Sequence, residues 1–149
     1  MVYNIKNKHQ QYFEATLQLR NVTQDMINFV QDEIARVNMH IAKIKRVTNG
    51  FDFQLADSKF TQNIGRKLQE KFGGKTLVTA SLFGQHDGKE IYRVTVLFRG
   101  VTFKRQDTVS YRGEEYLVTA MGKEIILQHH KTGKKIHVKY KDMDNIKQK

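Results

Sequence analysis

The chain has 149 residues, 39% of them hydrophobic, with 26 Lys and Arg against 15 Asp and Glu, a net charge of +11. That length suits one compact domain or two small ones, and the charge makes a polyanion the first partner to consider. The absence of cysteine excludes a disulfide framework, a thiolate zinc site and a cysteine nucleophile.

The N-terminal MVYNIKNKHQQ lacks the apolar centre of a secretory signal, and no run of about 18 apolar residues occurs anywhere. A cytoplasmic protein without a membrane partner is expected. Residues 11–20, QYFEATLQLR, alternate in a way that predicts a half-buried strand with Phe13, Ala15, Leu17 and Leu19 facing a core. Next, NVTQDMINFVQDEIARVN places Met26, Ile27, Val30, Ile34 and Val37 at helical spacing, with Asn21 or Thr23 as N-cap. Gln31, Asp32 and Arg36 face water on that helix.

HIAKIKRV is rich in strand formers, but its alternation assigns no face. Asn49-Gly50 predicts a hairpin turn into FDFQLA. Asp57 or Ser58 then caps a second helix carrying Phe60, Ile64, Leu68 and Phe72 on one face, which Gly73-Gly74 ends. A hairpin follows, from Leu77 to Phe83 and back from Ile91 to Phe98, turning near HDGK.

The order β-α-β-β-α-β, extended by one hairpin strand, predicts an α+β fold. Its first part is a split βαβ (ferredoxin-like) antiparallel sheet with two helices on one face, over residues 1–100. From Val101 short strand-like runs separated by Arg112-Gly113, Met121-Gly122 and Thr132-Gly133 predict a small basic SH3-like β-barrel over residues 101–149.

Little in the chain reads as catalysis. His129-His130 would point to opposite faces of a strand, His86 sits in a turn, and His9, His40 and His137 lack a partner at chelating spacing. Asp32-Glu33 and Glu114-Glu115 read as solvated charges, and no phosphate loop, nucleophile elbow or H-E-x-x-H helix is present. No cofactor, metal or small-molecule substrate is expected, and no enzymatic activity.

The basic residues are the stronger signal. Lys59, Arg66, Lys67 and Lys71 lie on the second helix, where Glu70 is the only acid, so the exposed side suits phosphates or is an ordinary solvated face. Lys131, Lys134 and Lys135 flank Thr132-Gly133 at a loop tip, with Lys104, Arg105 and Arg112 at other loops. A glycine-bearing basic turn offers ammonium and amide N–H groups to an RNA backbone; equally, lysines at a hairpin tip guard against aggregation. Tyr92, Tyr111, Tyr116 and Tyr140 could stack on bases or fill small cores.

The sequence VTNGFDFQL, the capped helix ADSKFTQNIGRKLQEKFGGK and the hairpin TLVTASLFGQHDGKEIYRVTVLFRG resemble the Nmd-three family, adaptors of the nascent large ribosomal subunit. The resemblance is strongest over residues 47–99 and weaker over residues 11–46 and the basic C-terminal part. It implies a mixed α/β module and a barrel similar to that of the hypusine-bearing translation factor, seated near tRNA sites of the large subunit. It also implies rRNA contact by Lys59, Arg66, Lys67, Lys71, Lys131, Lys134 and Lys135.

Family members carry an N-terminal zinc module of Cys-x-x-Cys pairs that this sequence lacks, so the expectation is an archaeal-type member, shortened or a fragment. The tail DMDNIKQK has no leucine-rich export stretch. The function expected is a non-catalytic rRNA-binding factor acting on the large subunit in biogenesis or quality control. The alternatives are a protein–protein adaptor for a ribosomal protein or assembly factor, its charge serving solubility, and, against the missing acid–base cluster, a nuclease or RNA-modifying enzyme.

Overall fold

Strand β1 (Ala15–Arg20) buries Ala15, Leu17 and Leu19 completely, as alternation requires. The computed structural model describes residues 12–148; the MVYNIKNKHQQ run with His9, and Lys149, lie outside the described residues. Phe13 precedes the strand and is only half-buried, its ring 3.8 Å from the Arg93 guanidinium rather than in the core.

Helix α1 (Gln24–Arg36) is capped by Thr23, whose side chain accepts from the Met26 N–H, and buries Met26, Val30 and Ile34. Strands β2 (Ile41–Val47) and β3 (Gly50–Leu55) form an antiparallel hairpin. Its turn is Thr48-Asn49, with Asn49 at φ +64, and Gly50 already pairs with Val47. Glycine is needed there because a Cβ would run into the Leu19 carbonyl of β1.

Helix α2 (Ser58–Phe72) is capped by Asp57, whose carboxylate accepts from the Phe60 N–H at 2.7 Å. It buries Phe60, Ile64 and Leu68, while half-buried Phe72 meets Phe29 edge-to-face. The Gly73 N–H closes the helix on Gln69, and Gly73 (φ +76) and Gly74 (φ +114) lead into β4 (Lys75–His86), which turns at Asp87-Gly88 into β5 (Lys89–Arg99).

The first sheet has the order β2-β3-β1-β5-β4. The β1-α1-β2 connection encloses β3, as a split βαβ requires, but the second half corrects the ferredoxin-like expectation. Strand β5 enters beside β1, parallel to it, and β4 is displaced to the edge. The sheet is mixed rather than antiparallel. Apolar burial decides the order: Val96 and Phe98 of β5 are fully buried, whereas Leu77, Val78, Leu82 and Phe83 of β4 are 46–59% exposed. Full burial stabilises by about 1.5–3 kcal/mol per large side chain, so the strand with the better inward face takes the centre.

Both helices cover one face, sharing a core with Leu17, Leu19, Phe53, Leu55, Val96 and Phe98. A second core, built on Val109, Val118, Ile125, Leu127, Val138 and Ile146, belongs to another sheet. That sheet comprises β6 (Thr108–Tyr111), β7 (Glu114–Met121), β8 (Ile125–His129), β9 (Lys135–Val138) and β10 (Ile146–Gln148), in the order β10-β6-β7-β8-β9. It does not close into the expected barrel: the strands at its two ends have four and three residues, and no pairing joins them among the described residues.

The DMDNIKQK segment is more than a tail. Residues Tyr140–Asn145 form a 3-10 turn that buries Tyr140 and Met143, and β10 adds a strand beside β6. Asp144 in that turn accepts from Lys75 Nζ at 3.4 Å and Arg99 Nη1 at 3.2 Å, tying the second sheet to the first.

Gly65 lets α2 lie close to the sheet: a Cβ there would stand 2.7 Å from Val96 Cγ1 and 3.0 Å from Thr76 Cγ2, and its carbonyl accepts from Thr76 Oγ1 at 3.2 Å. Gly65→Ala should therefore destabilise by about 1–3 kcal/mol in urea unfolding, although alanine is the better helix former. A gain in stability would show that α2 can shift without cost. Burial raises the pKa of Asp144, but the Lys75 hydrogen bond and the Arg99 charge outweigh it and hold the carboxyl below its usual value. A lowered folded-state pKa stabilises above the unfolded value and is lost as pH falls below it. From about pH 4 downward, the wild-type melting temperature should fall more steeply than that of Asp144→Asn; parallel curves would remove Asp144 from the acid response.

Candidate nucleic-acid interface

All four α2 cations are exposed, but three have contacts within the protein. Lys67 Nζ donates to Glu33 Oε1 at 2.6 Å, and Arg36 Nε reaches the other oxygen of the same carboxylate at 3.0 Å. Hydrogen bonds from Arg36 and then Lys67 lower the Glu33 pKa. Glu33 is thus no solvated charge, whereas its neighbour Asp32 is exposed as expected. Arg66 donates to Asn63 Oδ1 at 3.2 Å, and Lys71 stands 5.7 Å from the Phe29 ring centroid and 5.8 Å from that of Phe72. Lys59 is exposed near the helix start.

The β8–β9 tip is different. Lys131, Lys134 and Lys135 are exposed and form no ion pair among the described residues. Their backbone is fixed by His129, whose Nδ1 accepts from the N–H groups of Lys131 (3.2 Å) and Thr132 (3.1 Å). Gly133 at φ +72 closes the turn on the His129 carbonyl, and Thr132 Oγ1 accepts from the Lys134 N–H at 3.3 Å. The His129 ring meets Tyr116 edge-to-face at 5.1 Å, and its Nε2 lies 3.4 Å from Glu114 Oε2.

Arg112, at φ +51 in the β6–β7 turn, lies 5.1 Å from the Tyr111 ring centroid. Residues of that turn and of the tip, Gly113, Glu114, His129 and Lys131 among them, line one shallow depression, so two acids border the tip's cations on this side. Lys104 and Arg105 are exposed in the loop before β6, where the Lys104 N–H donates to Asp107 Oδ2 at 2.9 Å. Of the four tyrosines considered for stacking, Tyr111, Tyr116 and Tyr140 are core residues, whereas Tyr92 is 50% exposed, its hydroxyl donating to Glu90 at 2.6 Å.

Sequence reasoning assigned no site residue to the helix-free face of the first sheet. Paired residues share a face, so the register builds transverse rows. One row runs Lys43, Gln54, Thr16, Thr95, Thr79, and the next Lys45, Asp52, Gln18, Leu97, Leu77. A third contains Arg20, Arg99 and Lys75, with Arg20 bonded to Asp52 at 2.7 Å. Beyond the first row, the Arg93 guanidinium is sandwiched between Phe13 (3.8 Å) and Phe83 (3.5 Å). The alternation of Thr16 with Gln18 and of Lys43 with Lys45 was the available signal, but only the register sets those positions side by side.

Among the described residues, no group of three His, Cys, Asp or Glu side chains could hold a metal ion, and no helix is long and apolar enough to cross a membrane. Fold and surface define, first, an α+β protein whose exposed polar chemistry is mainly that of cations and amides. Residues 12–99, more than half of the chain, match the family model described as NMD3, second domain. The chain belongs to the NMD3 family of ribosome-associated factors, which bears out the resemblance carried by the capped helix and its hairpin. No curated protein matches the chain.

His129→Phe keeps a ring against Tyr116 but removes the Nδ1 acceptor. Amide exchange at Lys131 and Thr132 should accelerate by about fivefold, as loss of a hydrogen bond worth ~1 kcal/mol implies. Unchanged rates in NMR would mean that the imidazole does not hold the tip.

Proposed function

We propose that the chain is a non-catalytic rRNA-binding factor that docks on the large ribosomal subunit during its biogenesis or quality control. The observation that carries this reading is the β8–β9 tip, where three lysines without an ion pair among the described residues stand on a hydrogen-bonded glycine turn. Family membership supplies the ribosomal context. In this reading Lys104, Arg105, Arg112 and the α2 cations add phosphate contacts, no cofactor or small-molecule substrate takes part, and the cytoplasm is the site of action.

The separate cores support two working units, residues 1–100 and 101–149. The order β10-β6-β7-β8-β9 with a 3-10 turn before the last strand supports an SH3-like path for the second, left open.

A second reading, a protein–protein adaptor, draws on β4. This twelve-residue edge strand exposes Leu77, Val78, Leu82 and Phe83, a surface suited to addition of a partner strand.

Co-sedimentation with separated ribosomal subunits at 50 and 200 mM salt tests both. Lys134→Glu/Lys135→Glu is the variant of choice, because Lys67→Glu would set two carboxylates together at Glu33. Wild type should bind large subunits selectively, with affinity falling roughly a thousandfold over that salt range if about six phosphates are contacted, and the variant should lose binding. Equal binding to both subunits would sink the large-subunit reading. Salt-insensitive binding abolished by Leu82→Asp would replace it with the adaptor.

A further inference from the structure

We propose that the helix-free face of the first sheet is a binding site for single-stranded RNA, a proposal that rests on the rRNA-binding reading and names its ligand more closely. Three observations converge on this face. Thr16, Gln18, Gln54, Thr79 and Thr95 cluster in the two central rows, and none makes a side-chain hydrogen bond among the described residues. Some polar side chains elsewhere are engaged, Gln62 with Ser58, Gln24 with Asn28 and Thr76 with Gly65; here five open ones stand on adjacent strands of one face. Hydroxyls and amides left open side by side present both donors and acceptors to a ligand.

The charge around this patch has one sign for the most part. Lys43 and Lys45 at the β2 end are exposed and form no ion pair among the described residues, and Arg93 stands beyond the opposite corner. Asp52, the acid in the two rows, is neutralised by Arg20, and Asp144 is shared by Lys75 and Arg99. The surplus is positive and complements phosphates. The third observation is Phe83, 59% exposed, with Arg93 stacked on one side of its ring, which leaves an aromatic surface beside the rows.

Together these give a platform five strands wide, about 19 Å from first to last strand axis, polar throughout its first row and ending in Leu97 and half-exposed Leu77 in its second, with cations outside it and a ring at one end. Unpaired bases laid flat can present their edges to such amides and hydroxyls and stack on an aromatic ring, while phosphates meet the flanking cations. A duplex buries those edges in its own pairing and cannot lie flat across the rows. The face therefore favours single strands.

The probes are a labelled twelve-nucleotide oligouridylate and an RNA duplex of equal length, titrated by fluorescence anisotropy against the full chain. The variants are Lys43→Glu/Lys45→Glu and the charge-neutral Gln18→Ala/Gln54→Ala. The single strand should bind at least about tenfold more tightly than the duplex, and Lys43→Glu/Lys45→Glu should weaken it about tenfold and reduce the salt slope by about 1.4. The neutral variant should weaken binding with the slope unchanged, and the oligonucleotide should shift the amides of β1 and β5 in NMR.

Should the lysine variant misfold by circular dichroism, the neutral variant and the shift map decide alone. Shifts confined to residues 129–135, or a duplex bound as tightly as the single strand, overturn the proposal. Lys43→Glu/Lys45→Glu that binds both oligonucleotide and large subunits like wild type also overturns it, and leaves the rRNA reading intact. Wild-type protein that binds the oligonucleotide on this face but no large subunits upholds the site and removes the ribosomal reading. Large-subunit binding lost in the variant, with no oligonucleotide binding by wild type, assigns the face to a ribosomal protein and overturns it.

Discussion

The fold depends on how closely helix α2 can approach the strands beneath it. With hydrogen alone at position 65, the helix backbone settles against Val96 and Thr76, and Ile64 and Leu68 on either side reach full burial. The close approach recurs at the end of the helix. Gly73 leaves room for Tyr140, whose hydroxyl lies 2.8 Å and ring 2.9 Å from where a Cβ would stand, and Gly74 passes the Arg99 carbonyl at 2.6 Å by the same measure. The first contact fixes α2 to its own sheet, and the second seats the 3-10 turn of the other sheet. One helix with glycines at both places thereby connects the two cores.

Placing α2 over β5 also explains which strand becomes the edge. Val94, Val96 and Phe98 point toward the helix side next to Leu17 and Leu19 of β1, whereas the opposing residues of β4 are Ala80, Val78 and Thr76. The smaller or more polar set accepts exposure. An edge strand of twelve residues invites unwanted pairing, and the sequence moderates it with a register shift between Leu82 and Gly84 and with Lys75 and Lys89 near its ends.

Local signals were legible where one short stretch contained the whole cause. The caps at Thr23 and Asp57, the stop at Gly73-Gly74 and the hairpin turn before Lys89 each depend on neighbours within four residues. The place of β5 was not legible, because it compares the inward faces of two strands against a third far away in sequence. Likewise Lys67 reads as an exposed cation on α2, and its partner Glu33 lies 34 residues earlier on another helix. The face of β2 was ambiguous because Ile44, opposite buried Phe53, is itself 52% exposed, so the strand has no clean apolar side. In DMDNIKQK, Met143 and Ile146 are only three residues apart amid polar neighbours, too sparse a pattern to announce a 3-10 turn and a strand.

The distribution of ion pairs separates structural charge from available charge. Glu33 accepts Lys67 and Arg36, and Asp144 accepts Lys75 and Arg99, so each of these carboxylates holds elements together while engaging two cations. A cation held in this way must exchange one oxygen partner for another before it can bind phosphate, and its net gain is correspondingly small. Among the described residues, Lys43, Lys45, Lys131, Lys134 and Lys135 have no such partner to lose. They lie on two different sheets, and a few phosphate contacts on either would bind weakly alone. A polymer that engages both gains from the second contact being intramolecular. For a basic protein without a base-reading motif, that is a physical route to preferring a large folded RNA over scattered short strands.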